Sequence, residues 1–302
     1  MIENVPDPGP AGAGEVTVAM EAAAVTHLDL TLTSGTFAYR PGLPFVPGTA
    51  GAGRVIGGEA ALRGRRVLVR GGGVGLERPG TWAQRVTAPV TAVRKVPEDV
   101  DAALAATCYS PMTTAWAAVG PLGAVQEGER VLVTGASGGV GSLAVQLAAR
   151  AKAHVLALVR NERQAAAVPD GAHETLIGSG PEALAAAAAD GGIDVLLDTV
   201  GGDTLPTFLP ALRPGSRAVL IGYVAGRTLT LDLPALLARD VTLLPVNMVR
   251  RQVPDDVFHR LLSALGDGSL RLNTTTHPFD DLPRAITART HGSVSGTLAV
   301  TM

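Results

Sequence analysis

The chain has 302 residues, 46% of them hydrophobic and 17% charged, with a formal net charge of −2. That composition supplies a core for one large or two modest domains, and it excludes a disordered chain or one held to nucleic acid by bulk positive charge. The single cysteine, Cys108, excludes an intrachain disulfide and a cysteine-rich zinc site.

No apolar run reaches the roughly 20 residues of a membrane span, and Met1–Gly14 has no apolar stretch of the signal-peptide kind. A cytoplasmic protein with no nucleic-acid or membrane partner is expected. In chain order, Glu15–Met20, Val67–Arg70, Gln84–Ala88 and Thr91–Val96 are short β-branched runs between Gly/Pro punctuation, and they predict a barrel or sandwich. The rhythm then changes. Arg130–Thr134, His154–Val159, Asp194–Asp198, Ala218–Ile221 and Val241–Val246 are almost wholly apolar, as strands buried on both faces of a parallel sheet are.

Helical patterns alternate with those runs: Ser142–Ala151, Pro181–Ala189, Thr204–Leu212 and Pro234–Arg239. The alternation predicts an α/β, doubly wound parallel sheet. One amphipathic helix, Asp255–Leu265, follows Pro254, and Ser269–Met302 returns to strand character. The expected plan is a β-rich domain (1–105), an inserted α/β domain (106–245) and a return to the first domain (246–302).

The strongest motif is Val131-Leu-Val-Thr-Gly-Ala-Ser-Gly-Gly-Val-Gly141, a buried strand running through a glycine turn into a helix. Small residues at Ala136, Gly138 and Gly141 let backbone amides approach a pyrophosphate, and the helix N-terminus adds partial positive charge. Ala136, Ser137, Gly138, Gly139, Val140 and Gly141 are the expected cradle of a dinucleotide. A second run, Val67-Leu-Val-Arg-Gly-Gly-Gly-Val-Gly75, leads instead into Leu76-Glu-Arg-Pro-Gly80, where Pro and Gly forbid a helix, so a loop is expected. The carboxylate that would bind a ribose 2′-OH after the second strand is absent, and Arg160-Asn161 stands there. A guanidinium pairs with a 2′-phosphate, so NADPH is the expected cofactor, with Asn161 and Arg163 beside Arg160.

These features come together with Leu43-Pro-Phe-Val-Pro-Gly48, Gly80-Thr-Trp-Ala-Gln84, Val96-Pro-Glu-Asp99, Asp194-Val-Leu-Leu-Asp-Thr-Val-Gly-Gly202, Leu212-Arg-Pro-Gly215, Ile221-Gly222 and Gly296-Thr-Leu-Ala-Val300. In this order the chain resembles the zinc-independent medium-chain dehydrogenase/reductases, in particular the quinone oxidoreductase (zeta-crystallin-like) branch. The resemblance implies a Rossmann domain inserted in a GroES-like β-barrel, an active site in the cleft, and a homodimer. It implies hydride transfer from NADPH to a quinone or an α,β-unsaturated carbonyl. No metal is implied, since a conjugated acceptor delocalises the incoming charge and needs only a hydrogen-bond donor.

On the cofactor side the resemblance adds Val200, Gly201, Gly222 and Tyr223. On the substrate side, matched at Ser34-Gly35, Thr26 replaces the family's Asn, Asp29 is retained, Thr31 and Thr33 replace aromatic or basic residues, and Thr49 stands where Glu is common. Thr26, Asp29, Tyr39, Thr114 and Asn247 are the candidate catalytic residues. Tyr39 lies in the loop Thr36–Leu43, and Tyr109 and Tyr223 are further hydroxyl donors. His27 and Asp29 would share one face of a strand. Cys108 reads as a buried core residue, and Asp198, Asp203 and Asp232 as caps and turn formers. Relatives begin earlier, with a first pair of strands before Pro6-Asp7-Pro8-Gly9, so either a shortened start or a barrel trimmed or open at one edge is expected, an open edge favouring association. Two other readings fit the same residues: a biosynthetic enzyme of this fold performing a cyclisation or another reduction, and a non-enzymatic NADPH-binding sensor.

Overall fold

The computed structural model of the chain describes residues 2–36, 39–248 and 250–302. The chain forms two compact units, Met1–Tyr109 with His259–Met302, and Ser110–Phe258. The chain crosses between the two units at 109/110 and 258/259, each time within a helix. Among the described residues no helix is long and apolar enough to cross a membrane.

The first unit opens with β1 (Glu15–Ala24), α1 (His27–Thr33), β2 (Ala50–Gly58), β3 (Arg66–Arg70), β4 (Arg85–Pro89) and β5 (Val93–Lys95). β1 pairs antiparallel with both β2 and β4. Its pairing with β2 continues to Ala23, which explains why β1 runs past the β-branched segment that predicts it. β2 itself carries little β-branched signal, because its sequence AGAGRVIGG is rich in glycine. The glycines are steric: a Cβ on Gly53 would overlap the Ala19 carbonyl of β1. Val16, Val18, Val55, Val67, Val69 and Val86 fill the interior between these strands. After β3, residues 71–80 form a loop with no helix, as Pro79 and the glycines predict.

The expectation that His27 and Asp29 share a strand face is overturned. Thr26 caps α1, the segment is helical, and helical residues two apart do not face each other. The signal was present as Thr26 followed three residues later by Asp29, a capping pair. Helix α2 (Ala102–Ala117) was also missed. It is apolar nearly all round, as a buried helix is, and its one polar marker is Asp101, whose Oδ1 accepts from the amides of Ala103 and Leu104 at 2.9 and 3.1 Å.

The second unit contains β6 (Arg130–Thr134), α3 (Gly139–Arg150), β7 (His154–Val159), α4 (Glu162–Ala165), β8 (Glu174–Ile177), α5 (Pro181–Ala188), β9 (Ile193–Asp198), α6 (Thr204–Phe208), β10 (Leu212–Leu220), α7 (Leu233–Ala238) and β11 (Thr242–Pro245). The strands form one parallel sheet in the order β11-β10-β9-β6-β7-β8. The order reverses between β6 and β9, which is where an open α/β sheet binds ligands. Leu132, Leu156, Ile193, Leu196, Leu205 and Phe208 make its dry core.

The chain then forms α8 (Asp255–Gly266), β12 (Thr274–Pro278), α9 (Leu282–Thr290) and β13 (Thr297–Thr301). β13 pairs antiparallel with β1 and parallel with β12. The prediction of strand throughout Ser269–Met302 is corrected at α9. Parallel neighbours need a crossover, and α9 provides it, burying Leu282 and Ala285 against Ala23, Val25, Leu298 and Val300.

Cys108 on α2 is wholly buried, and burial pushes its thiol up to about 12. The native protein is expected to show no reaction of Cys108 with a disulfide reagent at neutral pH and one equivalent after denaturation. Rapid native labelling would contradict this burial.

Candidate functional site

The glycine turn after β6 is built as its sequence demands. Ala136 and Ser137 are buried, the Gly138 amide donates to the Gly135 carbonyl at 2.8 Å, and Gly138 stands at the N-cap of α3. A Cβ on Gly141 would overlap the Gly135 carbonyl, so glycine there is what lets the helix start against the strand end. No side chain caps α3. The amides of Gly139, Val140 and Gly141 in its first turn are therefore left for a ligand, at the positive end of the helix dipole.

Two further loops meet this turn at the carboxyl ends of the strands. Thr134 on β6 donates to Asp198 Oδ1 on β9 at 2.8 Å, and Asp198 Oδ1 also accepts from the amides of Val200 and Gly201, each at 3.0 Å. Thr199 returns the tie by donating to the Thr134 carbonyl at 2.7 Å. A Cβ on Gly222 would overlap the Thr199 carbonyl, so the loop after β10 closes onto the loop after β9. Val200, Gly201 and Gly222 are thus brought together beside the Gly135–Gly141 turn. Tyr223, next in line, is 64% exposed. The turn-forming reading of Asp198 agrees with this geometry. Asp232 caps α7 by accepting from Ala235, whereas Asp203 occupies the N-cap of α6 without a side-chain bond.

Arg160 follows β7, is exposed, and its guanidinium has no hydrogen bond or ion pair with a described residue. Its own amide donates to Gln164 Oε1 at 3.0 Å. Asn161 is placed differently from its expected role. Its Oδ1 accepts from the Gln164 amide at 3.0 Å and caps α4, which leaves only its amide NH2 for a ligand.

The substrate-side candidates fall in both units. Thr26 and Asp29 touch: Asp29 Oδ2 accepts from the Thr26 amide at 2.8 Å and the Thr26 hydroxyl at 2.6 Å, while Oδ1 accepts from the Thr49 amide at 2.9 Å. Asp29 is 0% exposed. Burial raises its pKa, and the hydrogen bonds from Thr26 and Thr49 oppose that rise without cancelling it. Both carboxylate oxygens and the Thr26 hydroxyl are committed to the start of α1 and to Thr49, so here the pair holds the backbone. Tyr39 is 45% exposed; positions 37 and 38 of its loop lie outside the described residues. His27 makes no bond to Asp29. In the second unit, Thr114 is half-buried on α2 and Asn247 is exposed after β11.

Sequence reasoning missed Thr134 and Thr199 as ties between loops, and it missed the stacking of Arg70 on Tyr109. Thr134 and Thr199 each stand at the carboxyl end of a buried strand, and that was the available signal. Among the described residues there is no group of three His, Cys, Asp or Glu able to hold a metal ion.

Gly141→Ala is expected to weaken binding of a nicotinamide dinucleotide at least about tenfold, equivalent to ~1.4 kcal/mol. Gly180→Ala, whose Cβ meets nothing, should leave it unchanged; fluorescence titration reads both. Asp29→Ala strands the Thr26 and Thr49 amides and should lower the unfolding free energy by about 1–3 kcal/mol. Because the folded-state pKa of Asp29 is raised, its contribution is greatest at low pH and is lost as pH rises through that value. The gap between wild type and Asp29→Ala in urea unfolding should therefore narrow with rising pH; a widening gap would contradict the assignment.

Comparison with known proteins gives the same two parts. Residues 12–98 match the family model of the alcohol dehydrogenase GroES-like domain, and residues 139–264 match that of zinc-binding dehydrogenase. A probable quinone oxidoreductase of Schizosaccharomyces pombe is 32% identical over 230 residues, covering 73% of this chain and 66% of that protein. Prostaglandin reductase-3 of Bos taurus is 30% identical over 215 residues, 70% of this chain and 56% of that one. A mycocerosic acid synthase-like polyketide synthase of Mycobacterium tuberculosis is 30% identical over 217 residues, 70% of this chain but 10% of that one. The chain thus spans under two thirds of these curated relatives. Among solved structures, the quinone oxidoreductase from Thermus thermophilus, determined with its NADPH complex, superposes with a TM-score of 0.79 at 26% identity, covering 99% of this chain and 95% of that one.

Proposed function

Because the chain belongs to the medium-chain dehydrogenase/reductases, within the quinone oxidoreductase branch, we propose that it is an NADPH-dependent, metal-free reductase of quinones or α,β-unsaturated carbonyls. The observation that carries this reading is the uncapped start of α3 behind a glycine turn, with an unpaired Arg160 at the end of the next strand. Those groups fit a pyrophosphate and a 2′-phosphate, respectively. Bound NADPH supplies the hydride.

In this reading the amides of Gly139, Val140 and Gly141 hold the pyrophosphate, and Arg160 pairs with the 2′-phosphate. The backbone at Val200, Gly201 and Gly222 lines the ribose and nicotinamide, with Tyr223 at the rim. Tyr39, Thr114 and Asn247 are the proposed hydrogen-bond donors to the acceptor. Thr26 and Asp29 act as positioning residues, because their polar atoms are already taken. None of these donors is a strong general acid, which favours acceptors that draw their proton from solvent, quinones ahead of simple enones. The acting form is proposed to be a homodimer.

Arg160→Gln should weaken NADPH binding by about tenfold or more, as expected for loss of a charge-assisted bidentate pair, with NADH binding unaffected. Calorimetric titration of both cofactors decides this, and tighter binding of NADH than NADPH by the wild type would reject the 2′-phosphate assignment. Absorbance at the nicotinamide band follows NADPH oxidation over a panel of quinones and enones. Cofactor bound with no turnover across the panel would overturn the reductase reading in favour of a sensor.

A further inference from the structure

Arg70 is the last residue of β3 and stands in register with Ala50 of β2. Its Cζ lies 5.3 Å from the centroid of the Tyr109 ring, and Arg94 Cζ lies 5.8 Å from the same centroid. The neighbouring arginines of this unit find oxygen. Arg66 donates to Glu21 and to the Glu98 and Val100 carbonyls, and Arg289 donates to the Val25 and Gly296 carbonyls. Arg70 has no hydrogen bond and no ion pair with any described residue. Burial lowers its pKa, and Tyr109 and Asp29 only partly offset that.

Asp29 acts on Arg70 through space, but both of its oxygens already accept from Thr26 and Thr49. No hydrogen bond or ion pair joins it to the guanidinium. Thr49, whose amide donates to this carboxylate, is 4% exposed, and its hydroxyl makes no hydrogen bond of good geometry. Thr49 directly precedes Ala50, the register partner of Arg70. One end of the β2–β3 pair therefore carries a half-buried cation with an empty donor fork, an aromatic ring beneath it, and the Thr49 hydroxyl. Arg70 is half-buried, so its guanidinium is partly stripped of water without gaining acceptors, and a bound anion offsets that loss.

We propose that Arg70, held over the Tyr109 ring, is an anion subsite that receives a carboxylate group of the acceptor. The planar guanidinium can present two parallel N–H groups to a planar carboxylate while its charge lies over the ring. A carboxylate fits better than a phosphate dianion, because Asp29 already places one negative group nearby. The assignment rests on the reductase reading for the word acceptor, and on the geometry alone for anion binding. It makes the preferred substrate an acidic quinone or enone.

The binding test uses benzoate and its neutral isostere benzamide, titrated calorimetrically into wild type, Arg70→Gln and Arg70→Lys, with thermal melts of each. Benzoate should bind at least about tenfold more tightly than benzamide. Arg70→Gln should abolish that preference, and Arg70→Lys, which keeps the charge without the fork, should retain part of it. Equal binding of the two probes by wild type, or full benzoate binding by Arg70→Gln, overturns the subsite. If Arg70→Gln does not fold, the comparison of probes on wild type and Arg70→Lys still decides.

The turnover test compares a benzoquinone bearing a carboxylate side chain with its methyl ester. Wild type should favour the carboxylate at least about tenfold in kcat/KM, and Arg70→Gln should lose that preference, the loss appearing in KM for the carboxylate. Turnover of both without discrimination overturns the subsite and leaves the reductase. Benzoate discrimination with no turnover of either overturns the reductase and leaves the subsite.

Discussion

The start of α3 sits against the end of β6 only because no side chain stands between Gly141 and the Gly135 carbonyl. Everything proposed for nucleotide binding depends on that close approach. It aims the first-turn amides of α3 at the space beyond the strand ends, and the missing side-chain cap keeps them unfilled. The contrast with Val67–Gly75 isolates the cause. That run has the same strand and the same glycine density, yet Pro79 and Gly80 prevent a helix, so it offers neither aligned amides nor a dipole.

A glycine turn alone would be soft. Asp198 and the pair Thr134 and Thr199 supply the stiffness by tying β6, β9 and the loop after β9 through one buried carboxylate. The carboxylate is satisfied by three donors in the interior, the condition under which a buried charge rigidifies its surroundings instead of destabilising them. The same loop accepts Gly222 against the Thr199 backbone. The reversal of strand order between β6 and β9 thus becomes a fixed crevice rather than a topological label.

Much of this is legible in the residues. The parallel strands announce themselves because burial on both faces demands unbroken apolar runs, and β6 and β7 match their predicted limits. Elements whose sequence obeys a different constraint are silent. β2 is selected for glycine by the proximity of β1, not for β-branching. α2 is largely apolar, with its hydroxyl residues spread along it, and shows no amphipathic stripe. α9 exists because β12 and β13 run parallel, a tertiary fact with no local mark beyond Pro283 near its start. At the site, main-chain roles such as those of Gly138 and Gly141 are readable, since they follow from what a side chain would block. Side-chain roles are less so: Asn161 stands where a ligand contact is expected and uses its carbonyl as a helix cap.

Asp29 shows the same division more sharply. A motif match assigns it to chemistry, whereas its environment assigns it to architecture, since it is buried and both of its oxygens are directed at the start of α1 or at the Thr49 amide. Its charge is nonetheless felt at Arg70 and Arg289. A residue can therefore be structural in its hydrogen bonds and functional in its field. Holding a carboxylate near Arg70 without bonding to it lowers the cost of keeping that cation desolvated, while leaving its donors free. An ordinary salt bridge would have filled the fork and closed the site. Because no ion pair joins Asp29 to Arg70, the carboxylate's field reaches the cation while its donors stay open to a ligand.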